Sequence, residues 1–185
     1  MKYNFGCGFN KHDGYVNIDK FDNCEPDLLM DIEVLPWPID SDCADEVLFF
    51  HCLEHVGGDP DVFIGIMKEL YRICKDGAKV RIHVPHPRSE SYLGDPTHVR
   101  PITPTVLSLF SKENCRKWKE GNASNSPLAV YHDVDFETVN TTFGLSERYK
   151  KLWDQKKITR EELHLSIMEK NNVVDELRFE LKVIK

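Results

Sequence analysis

The stretch VLFFHCLEH, residues 47–55, can be read in two ways, and the choice decides the fold. His51 and His55 stand four residues apart beside Glu54. On a helix that spacing puts two imidazoles on one face, where they can share a zinc ion. The four residues in front, Val47 to Phe50, form an unbroken apolar run, the pattern of a strand buried on both faces of a parallel sheet. If they are such a strand, His51 stands at its carboxyl end and the histidines do not share a helix.

The flanking sequence favours the strand. Asp59-Pro60 supplies an N-cap and a first-turn proline. Phe63, Ile66, Met67, Leu70, Ile73 and Cys74 then recur at helical spacing, and Gly77 is placed to end the helix. Val80, Ile82 and Val84 make the next strand, giving a βαβ unit with a right-handed crossover. Upstream, Tyr3 to Phe5 is a short strand running into Gly6-Cys7-Gly8. Tyr15 to Asp19 and Leu28 to Met30 are two more strands, the first ending on Asp19 and the second followed by Asp31. Downstream, alternation around Val130, Val134 and Phe136, and again from Leu177 to Val183, predicts an antiparallel strand pair. Between them Thr159 to Glu162 reads as a capping box, and the basic residues from Arg148 to Arg160 read as a solvated helix face. The expected fold is an α/β Rossmann-like sheet, mostly parallel, closed by an antiparallel C-terminal pair. It forms one domain over residues 1–185, with the proline-rich segment 87–126 as an insertion or lid. Arg81 and His83 share one face of a strand expected to be buried on both sides, and nothing in the sequence accounts for them.

The chain's 185 residues suffice for a single core. Its net charge of -7 disfavours a broad nucleic-acid-binding face, which needs clustered Lys and Arg. The six cysteines form no C-x-x-C pair and read as reduced, mostly buried thiols. Neither an apolar leader nor a run long enough to span a bilayer is present, so a cytoplasmic location is expected.

In an open α/β sheet ligands bind beyond the carboxyl ends of the strands, where strand order reverses. The residues there are Phe5 with Gly6, Cys7 and Gly8, then Asp19, Asp31 with Ile32, and His51. Glycines allow close backbone approach, and a carboxylate ending the second strand can bind ribose hydroxyls. Too few residues separate Gly8 from Asp19 for a full crossover helix, and the third glycine of G-x-G-x-x-G is absent. A dinucleotide pyrophosphate therefore lacks its helix N-terminus. S-adenosylmethionine (SAM) has no phosphate and needs none.

On these residues the chain resembles a compact class I SAM-dependent methyltransferase of the type 11-like group. NFGCGFNKHDGYVNIDK is similar to that group's glycine motif and acidic second strand. MDIEVLPWPIDSDCADEVLFFHCLEHV is similar to its adenine-contacting segment and fourth strand, and ELYRICKDGAKVRIHVPHP to the helix and strand that follow. DPTHVRPITP, residues 95–104, is similar to a loop of the same group. The resemblance implies SAM as cofactor, with Gly6, Cys7 and Gly8 near its methionine part. Asp19 would lie on ribose, Asp31 and Ile32 on adenine, and His51 near the sulfonium. Related chains carry helices before the first strand that help cover the acceptor. This sequence begins in the strand, so cover is expected from residues 87–126, from another subunit, or not at all.

Methyl transfer to a hydroxyl or amine is an in-line displacement that also needs a base. His51, Glu54, His55 and His98 are the candidates, with His86 nearby. The expected function is methyl transfer from SAM to an O or N atom of a small-molecule or sugar-type acceptor. A SAM-binding protein without transferase activity is the alternative. H-x-x-E-H also matches inverted zinc peptidases, a remote alternative on His51, Glu54 and His55. Some quinone and RNA O-methyltransferases that resemble this stretch hold a divalent ion on E-x-x-E-H. His51 replaces the first Glu here, His86 or His98 could add a later ligand, and no metal is assigned from the sequence. A homo-oligomer is left open.

Overall fold

The computed structural model describes residues 1–185. Seven strands form one sheet: β1 (Lys2–Phe5), β2 (Val16–Asp19), β3 (Leu28–Leu29), β4 (Ala44–Phe50), β5 (Cys74–Pro85), β6 (Phe136–Leu145) and β7 (Val174–Val183). Their order is β3-β2-β1-β4-β5-β7-β6. The first five run parallel, and β7 pairs antiparallel with both β5 and β6. From β1 the chain steps outward to β2 and β3, then returns to place β4 on β1's other side. Strand order thus reverses between β1 and β4, and their carboxyl ends diverge around a crevice.

Val47, Leu48 and Phe49 are all buried, as the apolar run implies. Helix α1 (Pro60–Ile73) starts where the N-cap signal lies: the Asp59 carboxylate accepts from the Asp61 and Val62 amides. Phe63, Ile66, Met67, Leu70 and Ile73 form its buried face. The helix does not run to Gly77. It stops at Ile73, and Cys74 is already extended. Ala44 pairs with Cys74 but Glu46 with Lys79, so the Lys75-Asp76-Gly77 turn bulges out of β5, with Gly77 at φ +75°.

Helix α1 covers one face of the sheet, and the other face is only partly covered. No helix joins β1 to β2, β2 to β3 or β3 to β4; a single 3-10 turn at Asp22–Cys24 is the sole helical piece there. The expectation that β5 is buried on both sides fails, and this accounts for Arg81 and His83. Val80, Ile82 and Val84 face the core. Arg81 points outward and ion-pairs with Glu46 at 3.3 Å, while His83 stacks on Phe50 at 4.1 Å. The 6–15 connection partly covers this face: the His12 ring meets Phe50 edge-on at 5.5 Å, and Asn4 donates to the Asn10 carbonyl.

Two further expectations need revision. Val130 does not belong to a strand; it is exposed on a helical turn, α5 (Leu128–Tyr131), and β6 begins only at Phe136. Segment 87–126 is not simply an insertion. It carries α2 (Glu90–Leu93), α3 (Pro104–Ser108) and α4 (Lys112–Glu120), and it sends Ile102, Leu107 and Phe110 into the main core. The capping box forms at the start of α7 (Arg160–Glu169), and α6 (Glu147–Asp154) carries exposed Lys–carboxylate pairs. All six cysteines are free, and five are buried. No helix is long and apolar enough to cross a membrane.

Because α1 is the only crossover helix, its apolar face anchors the parallel half of the sheet. Replacing Leu70, fully buried, by Ala should cost about 3 kcal/mol through lost burial and a residual cavity. Urea unfolding would show this as a lower midpoint at unchanged slope.

Candidate functional site

The crevice is built by two turns that touch. After β1 the chain enters Gly6 at φ +64°, and a Cβ there would lie 2.5 Å from the Cys52 sulfur and 2.8 Å from Cys52 Cβ. After β4 it enters His51 at φ +53°, left-handed backbone that a residue with a side chain seldom adopts. The His51 amide donates to the His83 carbonyl at 2.8 Å, so the neighbouring strand holds this turn in place. Gly8 is also left-handed but has open space where its Cβ would be.

Asp19 ties the glycine turn to β2. Its Oδ2 accepts from the Gly8 amide at 2.8 Å and its Oδ1 from the Phe21 amide at 3.0 Å. A carboxylate can accept about four hydrogen bonds, so capacity for a ligand remains. Asp31 accepts from the Glu33 amide at 3.0 Å. Buried Trp37 fixes the same segment by donating its indole N–H to the Ile32 carbonyl at 2.9 Å.

Two cavities open at this end of the sheet. The first, about 400 Å³, is lined by Gly6, Asp19, Asp31, Ile32 and His51 among the expected residues, and also by Lys20, Phe21, Met30, Cys52, Val56 and Thr97. The second, about 420 Å³, is lined by His51, Glu54, His55, Ser91, Asp95, His98, Asp175 and Glu176, with Pro85 its one apolar residue. His51 and His55 line both. Phe5 contributes no side chain to either: it is fully buried, 5.0 Å from Phe49 and 4.8 Å from Trp37. Cys7 is buried and lines neither. Burial pushes up the thiol pKa of Cys7 and of Cys52, so neither is a ready thiolate nucleophile.

The HCLEH stretch is not the helix a zinc peptidase requires. His51 ends the strand in left-handed backbone, and Leu53–His55 is a single 3-10 turn. His55 instead meets His98, with ring centroids 4.6 Å apart. Residues 95–100 reach that position because the Val99 and Arg100 amides both donate to the Glu54 carbonyl, at 2.9 and 3.2 Å. The Arg100 side chain donates to the Gly57 carbonyl at 2.7 Å and lies over the Phe63 ring. His86 lies elsewhere, accepting from the Arg88 amide.

His51 Nε2 is 2.9 Å from Glu176, and its Nδ1 is 3.6 Å from Glu54. The Glu54 carboxylate raises the His51 pKa, Glu176 adds to this, and burial opposes it. His51 thus holds a proton more readily than an ordinary histidine. Thr97, Phe21, Arg100 and Glu176 escaped the sequence reading. An exposed aromatic directly after Asp19-Lys20 was the one local signal available.

No family model matches the sequence, and no curated protein matches it. Solved structures do match. A SAM-dependent methyltransferase from Archaeoglobus fulgidus superposes with TM-score 0.65 at 18% identity, over 98% of this chain and 85% of that one. One from Methanosarcina mazei gives 0.57 at 16% identity, over 99% and 92%. The 1,6-didemethyltoxoflavin-N1-methyltransferase of Burkholderia thailandensis, solved with 1,6-didemethyltoxoflavin and S-adenosylhomocysteine, gives 0.51 at 11% identity, over 100% and 71%. These likenesses establish the fold, which is the class I methyltransferase sheet.

The contrast between the two glycines can be measured. Gly8→Ala should cost about 1–2 kcal/mol, the penalty for a left-handed residue with a Cβ. Gly6→Ala adds a backbone-level clash with Cys52 and should cost clearly more, giving the lower midpoint of the two in urea.

Proposed function

We propose that this protein is a methyltransferase that takes its methyl group from SAM and delivers it to an oxygen or nitrogen of a small polar acceptor. The observation that carries the reading is the pair of cavities meeting at His51 and His55, one adenosine-compatible and the other polar. SAM supplies an electrophilic methyl group on a sulfonium. The residues of the first cavity suit such a ligand without any phosphate site. Asp19 would accept from the ribose hydroxyls, Asp31 and Ile32 would border adenine, and exposed Phe21 offers a ring at the rim. The close packing at Gly6 and the open space at Gly8 leave backbone, not side chain, facing the amino-acid end.

The second cavity would orient the acceptor. Its lining is carboxylates and imidazoles with no Lys or Arg, which favours a hydroxyl-rich or amine acceptor over an anionic one. His51, on the wall between the two cavities, is placed to take the acceptor's proton on Nδ1 while its Nε2–H donates to Glu176 at 2.9 Å. The alternative of a SAM-binding protein without transferase activity leaves this polar cavity without a use.

Calorimetric titration of the protein with SAM and with NAD tests the cofactor. SAM should bind and NAD should not, and Asp19→Ala should weaken SAM at least tenfold. No SAM binding, or unchanged affinity in Asp19→Ala, would remove the reading. With SAM bound, release of S-adenosylhomocysteine across a panel of polyols, phenols and amines identifies the acceptor. His51→Gln should then slow turnover by roughly a hundredfold or more, the usual range for a lost general base.

A further inference from the structure

Glu54 is 1% exposed, and neither of its carboxylate oxygens has a hydrogen-bond partner. A buried charge left this way is costly, so something should stabilise it. Its neighbours are imidazole nitrogens, and the nearest, His51 Nδ1 at 3.6 Å, stands beyond hydrogen-bond length and leaves both oxygens unbonded. One oxygen of Glu54, one nitrogen of His55 and one of His98 all lie within 4.8 Å of one another. His55 Nε2 stands 4.0 Å from Glu54 Oε1, too far for a hydrogen bond.

The hydrogen bonds behind each histidine settle which nitrogen carries its proton. The Thr97 hydroxyl donates to Asp95 at 2.6 Å, so its oxygen can only accept from His55 Nδ1, 2.9 Å away. His98 Nδ1 is 2.8 Å from the Tyr92 carbonyl, which can only accept. Both rings therefore carry a proton on Nδ1, and in the neutral imidazole the Nε2 lone pair is free. Metal-binding histidines are oriented in this way, with the far nitrogen donating to a carbonyl or to a carboxylate relay. A proton shared with Glu54 would instead bring one Nε2 within hydrogen-bond length, and neither imidazole does so.

We propose that Glu54, His55 and His98 hold a divalent transition-metal ion. Tetrahedral bonds of about 2.0–2.2 Å to one ion hold ligand atoms roughly 3.3–3.6 Å apart, a small closure from the present grouping within 4.8 Å. Two imidazoles and one carboxylate favour Zn²⁺ or Co²⁺ over Mg²⁺. Three protein ligands leave a position open toward the polar cavity, where Asp95 Oδ2 is 3.8 Å from His98 Nε2. The site rests on this geometry alone and stands whether or not the neighbouring cavity binds SAM.

Full-length protein stripped with a chelator, then dialysed against Zn²⁺ or Co²⁺, gives a direct test by metal analysis. Wild type should retain one ion per chain, and the Co²⁺ form should absorb in the visible. Glu54→Gln and His98→Ala should each lose at least a hundredfold in affinity. Thr97→Val, which removes only the partner of His55 Nδ1, should lose tenfold to a hundredfold. His164→Ala, at an exposed histidine on another part of the surface, should lose nothing. Melting curves supply a second readout. In stripped protein Glu54→Gln should melt higher than wild type, because it removes an unpartnered buried charge. Zinc should raise the wild-type midpoint and leave that of Glu54→Gln unmoved. If Glu54→Gln fails to fold, His98→Gln takes its place in both measurements. Failure of wild type to retain stoichiometric metal would overturn the site, as would retention unchanged in both ligand variants.

Discussion

The turns leaving β1 and β4 are packed so closely that only a hydrogen fits between Gly6 and Cys52. Both cavities depend on this approach. It brings the first strand's glycines and the fourth strand's His51 to one crevice, at the point where strand order reverses. Gly6 and His51 both sit in left-handed backbone, so each turn reverses sharply enough to leave the strand end open to a ligand. The bonds to Asp19 and to the His83 carbonyl then hold the two turns in register with the strands beside them.

Around that crevice the chain economises on connections. No link between the first four strands carries an α-helix, and the covered face of the sheet rests on α1 and on the 99–116 region. A segment that looks like a lid from its prolines is therefore partly foundation. Its Ile102, Leu107 and Phe110 lie in the core, while its 95–98 stretch borders both cavities. Because Val99 and Arg100 bond to the Glu54 carbonyl, the wall carrying Thr97 and His98 is braced against the turn that carries Glu54.

What could be read from the sequence was what depends on near neighbours. Apolar run, N-cap and proline located β4 and α1, and the shortness of the Gly8-to-Asp19 link correctly excluded a crossover helix. Asp19 and Asp31 were legible because they end or follow short strands. Gly77 misled because the same residue that ends helices also permits a bulge within a strand, and only the pairing of Cys74 with Ala44 distinguishes the two. Val130 misled because alternation over a few residues does not separate a strand from a helical turn. The sequence offered either His86 or His98 as a later partner of Glu54 and His55, and the choice of His98 is made by backbone hydrogen bonds between segments some forty residues apart, for which no local pattern exists.

The outward face of β5 and β7 has a consequence for the sequence itself. There Lys79, Arg81, Arg178 and Lys182 stand in or near water, while the alternate positions are buried. Substitution at exposed positions usually changes stability by no more than about 0.5 kcal/mol. Alternate residues of these strands are thus weakly constrained by folding, and selection for the sheet acts on only half of them. A fold held this way can persist while its spelling drifts, which suits a chain that superposes over nearly its whole length on a structure only 18% identical.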